Sequence, residues 1–139
     1  MKYVVAAVLL AVAAIVYPNF MAAHQRSAQK RTMADMRTLA TALEARATDI
    51  NNYLIGRPGH VSYDDLRRVL EPKYVKRLPR EDGWGRPFIV ITTEQEYWVR
   101  SNGADGRADR VRGATTDFDC DILYSNGTFV EYPEASCQE

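Results

Sequence analysis

The sequence predicts an α+β fold in which one long N-terminal helix crosses a membrane with its first half and lies across a small antiparallel sheet with its second. Three observations predict it. Residues Tyr3 to Ala23 carry no charge at all. From Met36 onward the apolar residues Met36, Ala40, Leu43, Ala47, Ile50 and Leu54 recur at helical spacing, the mark of a helix with one buried face. After Pro87, short runs rich in β-branched and aromatic residues alternate with turn signals. The 139 residues leave room for one domain beside an anchor. Eighteen Lys+Arg balance eighteen Asp+Glu, so no net field argues for nucleic acid or for an acidic partner.

The uncharged segment YVVAAVLLAVAAIVYPNFMAA would span roughly 31 Å as a helix, against a hydrocarbon core of about 30 Å. Three readings compete. A cleaved leader has Lys2 at its start, but Tyr17, Pro18, Asn19 and Phe20 stand where small residues should prepare the cleavage site. A buried core helix would need more surrounding helices than the chain supplies. An uncleaved anchor fits best, and Pro18 is better tolerated in a membrane helix than in a soluble one.

Beyond the span, Arg37, Thr41, Glu44, Arg46 and Thr48 occupy the faces that the apolar stripe leaves. No Gly or Pro interrupts Asn19 to Tyr53, so the reading is one continuous helix of about 50 residues, ended by Gly56, Pro58 and Gly59. Its competitor is two helices with a break near His24 to Arg26. Ser62, followed three residues later by Asp65, is a capping-box pattern that opens a short helix from Tyr63 to Leu70, stopped by Pro72. In LPREDGWGRPF, Pro79, Gly83, Gly85 and Pro87 forbid regular structure. FIVIT (Phe88 to Thr92) and EYWVRS (Glu96 to Ser101) read as two strands joined by a short turn. Asn102 to Thr116 reads as a polar loop. DILYSNGTFVEY (Asp121 to Tyr132) reads as a hairpin around Asn126-Gly127, a pair that enters left-handed turn conformations at low cost.

With these elements in order, the chain resembles the type IV pilin superfamily and, within it, the major (G-type) pseudopilins of type II secretion. A long apolar helix carries Pro-Asn-Phe near its membrane exit. RSAQKRTMADMRTLATALEARATDINNY is similar to the amphipathic continuation of that helix. LEPKYVKRLPREDGWGRPF is similar to the family's Leu-Pro-x-Asp-x-Trp-Gly-x-Pro passage, and YWVRSNGADGRAD followed by DFDCDI resembles its loop ending in an acidic pair before a final strand. The resemblance covers nearly the whole chain. It implies a pilin-like fold, with residues 1–23 as a transmembrane anchor and 24–139 as a globular domain. In that domain, helix 24–54 continues the anchor and a small sheet occupies 87–132.

The function implied is that of a structural subunit of a type II secretion, or related type IV pilus-like, filament. It would be a single-pass protein of a bacterial inner membrane with its globular domain in the periplasm. The implied partners are further pseudopilins met through the N-terminal helix, the inner-membrane secretion machinery and the membrane itself, with no nucleic acid expected. The alternatives are a minor or orphan pilin-like protein for adhesion or DNA uptake, and a non-assembling, membrane-anchored calcium-binding module. DNA uptake would need an exposed basic stripe, for which Arg107, Arg110 and Arg112 are the candidates. One departure from the family lies at the start. Aligned on Pro18, Met1 falls where the family has the Glu of its Gly-Phe-Thr-Leu-Ile-Glu processing motif. The expectation is that the chain either begins further upstream or is not processed by that route. In the second case it lacks one driving force for assembly, a carboxylate in lipid seeking a neighbour's amine.

Lys2 precedes the span while Arg26, Lys30 and Arg31 follow it, which by the positive-inside rule alone would leave the domain in the cytoplasm. The family has the same basic exit and faces outward, and the cysteines agree with that orientation. Cys120 and Cys137 form an even pair near the end of a small domain, as a disulfide tying down the tail requires; two unpaired thiols in a cytosolic domain are the alternative. No zinc pattern exists, and His24 and His60 do not complete one.

The acidic cluster is the one candidate site. In DFDCDI the residues Asp117, Asp119 and Asp121 alternate, so an extended chain carries all three on one face. Asp105 lies in the glycine-bearing loop before it. Crowded carboxylates repel unless something neutralises them, and oxygen ligands on such a loop suit calcium. The resemblance implies calcium here, with Asp105, Asp119 and Asp121 at the family's acidic positions and Asn102 beside them. The competing reading is that arginines, Arg107, Arg110 and Arg112, supply the counter-charge with no metal. An EF-hand is excluded because Ile122 stands where its glycine must be. No nucleophile with a base and no phosphate loop is present, so no enzymatic activity and no catalytic residues are expected.

The full chain is expected to fractionate with membranes and to resist carbonate extraction. Recovery of a shortened soluble chain beginning near His24 would show instead that the apolar segment is a cleaved leader.

Overall fold

A computed structural model describes residues 2–108, 113–115 and 117–133. Helix α1 runs unbroken from Lys2 to Ile50, with Pro18 inside it. No break occurs near His24. Every residue from Tyr3 to Met21 is exposed, so the apolar half is not a core helix of the described domain. The second half buries Ala28, Met36, Leu39, Ala40, Ala42, Leu43 and Ala47, which confirms the four-three stripe as far as Ala47. Ile50 and Leu54 were expected to continue it, but Ile50, the last residue of the helix, is exposed and Leu54 lies beyond the helix end. Asn51 turns left-handed at φ 54°, a conformation that asparagine adopts at helix ends. Arg46 then holds the departing chain, donating from Nη1 to Asn52 O at 3.2 Å and from Nη2 to Leu54 O at 3.1 Å.

The sheet has six strands: β1 (Gly59–Val61), β2 (Ile89–Thr92), β3 (Tyr97–Ser101), β4 (Gly113–Thr115), β5 (Ile122–Ser125) and β6 (Thr128–Pro133). Their order across the sheet is β1-β2-β3-β5-β6-β4. All pairings are antiparallel except β4 with β6, which is parallel. The β2–β3 and β5–β6 hairpins fall where the alternation placed them, and Asn126 and Gly127 both take positive φ in the second turn. Two strands were not foreseen. β1 is only three residues long and begins at a glycine with φ 122°. β4, Gly-Ala-Thr, lies inside the expected polar loop and carries no apolar alternation. Neither carries a period that local sequence could reveal; both exist because a longer strand offers them an edge.

Helix α2 (Tyr63–Leu70) starts as expected. The side chain of Ser62 accepts from Asp65 N at 3.2 Å, and Leu66 and Leu70 face the core. That core lies between α1 and the inner face of the sheet, where Val90, Tyr97, Val99 and Ile122 meet Met36, Leu39 and Leu43. Tyr97 is fully buried yet satisfied: its hydroxyl donates to Glu44 Oε1 and accepts from Gly127 N at 3.2 Å. Burial first, and the Glu44 bond second, push the phenol well above its ordinary range, so it remains a donor at every physiological pH.

A loop comes close to α1 at Gly83. A Cβ built there would sit 2.1 Å from Ala28 O, which is helix backbone and cannot swing aside. Gly83→Ala is therefore expected to destabilise the domain by about 1–3 kcal/mol, as overpacking does. Chemical denaturation checks this, and an unchanged midpoint would mean that the turn is not seated on the helix.

Candidate functional site

The turn around Gly83 is organised by a buried acid that sequence reading passed over. Asp82 is 1% exposed. Its Oδ1 accepts from Trp84 N and from Arg86 N, both at 2.9 Å, and its Oδ2 accepts from Ser101 Oγ at 2.6 Å. Three donors converge on one carboxylate, which satisfies its burial. The turn then grips α1 where it leaves the apolar stretch: Gly83 N donates to Thr32 Oγ1 at 2.8 Å, and Trp84 Nε1 donates to Gln25 Oε1 at 2.6 Å. Thr32, fully buried, donates from Oγ1 in turn to Ala28 O at 2.8 Å.

From this turn Arg86 reaches into the loop after β3. Its Nη1 donates to Gly103 O at 2.7 Å and to Ala104 O at 2.6 Å. A Cβ on Gly106 would meet the guanidinium carbon at 2.5 Å, so the loop is wrapped closely round the arginine. The loop closes on the segment before β5. Ala104 N donates to Phe118 O at 2.9 Å, and a Cβ on Gly103 would lie 2.5 Å from the carbonyl oxygens of Asp119 and Cys120. Gly103 takes φ +63° there, so both the conformation and the space require glycine.

The expected ligand residues are placed as follows. The two segments that carry them are brought together. Asp105 is exposed, and its Oδ1 accepts from Arg107 N at 2.8 Å. Asp119 is exposed, with its own N–H donating to Asp117 Oδ1 at 3.0 Å. Asn102 is half-buried, and its Oδ1 meets no hydrogen-bond partner among the described residues. Asp121 is 2% exposed and forms an ion pair with Arg100, at the end of β3. Among the described residues, no three His, Cys, Asp or Glu side chains converge as a metal-holding group. Cys120 is buried; Cys137, Arg110 and Arg112 lie outside the described residues.

Asp82, Arg86, Arg100 and the Gln25–Trp84 bond were missed. A signal existed for Asp82: an aspartate two residues before a tryptophan and four before an arginine, among glycines, is placed to accept amides of its own turn. Arg100 gave none, since an arginine at an outward strand position reads as a solvated side chain.

With this geometry in view, comparison with known proteins is informative. No family model and no solved structure matches the chain. Among curated proteins, the chain is 29% identical over 116 residues to the type II secretion system core protein G of Aeromonas hydrophila. The match covers 76% of this chain and 79% of that protein. The chain resembles a major pseudopilin. The α+β, pilin-like architecture agrees: a long N-terminal helix, apolar and exposed in its first half, packed on a mainly antiparallel sheet. The same helix is long and apolar enough to cross a membrane, and together with the pseudopilin likeness it supports a membrane-anchored protein.

Asp82→Ala is expected to cost about 3 kcal/mol, because it strands a buried hydroxyl and frees two turn amides. Asp82→Asn, which keeps one acceptor oxygen, is expected to lose less. Denaturant unfolding of both variants checks the order, and a stable Asp82→Ala would show that the carboxylate does not hold the turn.

Proposed function

We propose that the chain is a pseudopilin-type structural subunit of a type II secretion filament, anchored in the bacterial inner membrane with its domain in the periplasm. One observation carries the reading: the exposed apolar half and the buried amphipathic half belong to one unbroken helix, Lys2–Ile50, in a chain whose curated relative is a secretion-system core protein. A residue set apolar on every side needs lipid or other apolar helices around it. Ala7, Ala11 and Ala14 place small residues along one side, where a neighbouring helix can come close. The domain beyond then rides on a rigid rod. Its buried acids, Asp82 and Asp121, are both engaged in holding loops, which supports a structural rather than a catalytic role. Other copies, further pseudopilins and the inner-membrane secretion machinery are the partners this role requires.

Two measurements test it. In the native host, deletion of the gene should remove type II substrates from the medium, and an unchanged secretome overturns the proposal. Mass analysis of the purified protein under non-reducing conditions tests the orientation. A bridge between Cys120 and Cys137, worth roughly 3 kcal/mol by loop closure, shows as two missing hydrogens; two freely alkylated thiols argue against an oxidising compartment.

A further inference from the structure

We propose that the two loop segments 102–106 and 117–121 are held together by two built-in cations, the guanidinium groups of Arg86 and Arg100, and that their contact is independent of calcium. The inference needs the loop geometry alone and stands whether or not the chain assembles into filaments.

Of the four aspartates expected to crowd together, Asp105, Asp117 and Asp119 are exposed, where water screens them without help from an ion. Asp121 is the buried one, and Arg100, a neighbour on the sheet, forms an ion pair with it. Gly103 O and Ala104 O, loop carbonyls of the kind that suits a hard cation, both accept from Arg86 Nη1, at 2.7 and 2.6 Å. A divalent ion on those carbonyls would stand beside a guanidinium, and like charges so close repel strongly in a partly buried site. Gly106 has no side chain to hold the arginine off, and a Cβ there would overlap it. The loop is thus shaped round a side chain. Arg86 is anchored in turn, because its own N–H donates to Asp82. The two arginines come from different elements, Arg86 from the turn seated on α1 and Arg100 from β3, and so fasten the loop to both layers of the domain. A loop held by calcium follows the free calcium of its compartment; one held by arginine does not.

The test uses the full chain in detergent micelles. Thermal unfolding is followed with millimolar calcium chloride and with chelator. Coincident midpoints are expected, and a calcium-dependent rise of more than about 3 °C overturns the proposal. Arg100→Gln and Asp121→Asn should each lower the midpoint by about 5 °C or more, and the double variant by clearly less than the sum. Strict additivity would show that the pair does not act as a unit. Arg86→Gln should raise the rate of tryptic cutting after the exposed Arg107 by about tenfold, with Arg86→Lys intermediate. An unaltered rate would show that Arg86 does not hold the loop. Should a variant fail to fold, the comparison of the parent with calcium and with chelator still decides.

Discussion

From Ala28 to Ala47 one face of α1 remains against the domain over about 30 Å, and the other elements take their places from that contact. The sheet can curve over the helix because Met36, Leu39 and Leu43 present bulk at its centre, while Ala28, Ala40, Ala42 and Ala47 let backbone come close elsewhere. The alanines matter as much as the leucines. Where a small residue leaves room, a polar bond crosses instead: Gly83 N reaches Thr32 at 2.8 Å, and Trp84 reaches Gln25 at 2.6 Å. The helix therefore carries two kinds of attachment, a greasy one in the middle of the domain and a hydrogen-bonded one near its membrane-proximal end.

How far this was legible in the sequence follows from the range of the forces involved. Helix α1, helix α2 with its Ser62 cap, and both hairpins were readable, because period, cap chemistry and an Asn-Gly turn are all local. The end of α1 was placed too late, since Asn51 gives no stronger local signal than Gly56 and Pro58 do, and Arg46 completes the end through contacts made only after the chain has turned. β1 and β4 were invisible because a strand of three residues is defined by its neighbour. The loop site was half legible. Its acidic residues stood out and the two segments that carry them do meet; of the counter-charges expected in Arg107, Arg110 and Arg112, the last two lie outside the described residues. Those seen come from elsewhere in the fold: Arg86 lies 17 residues before Gly103, and Arg100 lies 21 before Asp121.

That displacement illustrates how a buried charge is satisfied. A carboxylate taken out of water needs a partner of fixed position, and a flexible loop cannot supply one without ordering itself first. A strand and a hydrogen-bonded turn are already ordered. Arg100 belongs to β3, paired with Leu123 across the sheet. Arg86 belongs to a turn fixed by Asp82. Placing the cations on the scaffold and the acids or carbonyls on the loop lets the rigid part position the adaptable one.

The two halves of α1 also divide the work of recognition between them. Apolar side chains in lipid distinguish poorly between one register and another, since sliding exchanges one methyl contact for a similar one. Asn19, beside Pro18, donates one amide N–H to Ile15 O of its own helix at 3.2 Å. Directional groups are sparse before His24, Tyr3, Tyr17 and Asn19 being the polar-tipped side chains there, and from Gln25 onward the Asp82 turn fixes the rod against the domain through Gln25 and Thr32. In an assembly of the proposed kind, the part of the rod whose angle to the domain is already fixed is the better placed to set a register between copies. In such an arrangement the buried carboxylate of Asp82, far from any chemistry, determines how faithfully the position of the domain reports the position of its anchor.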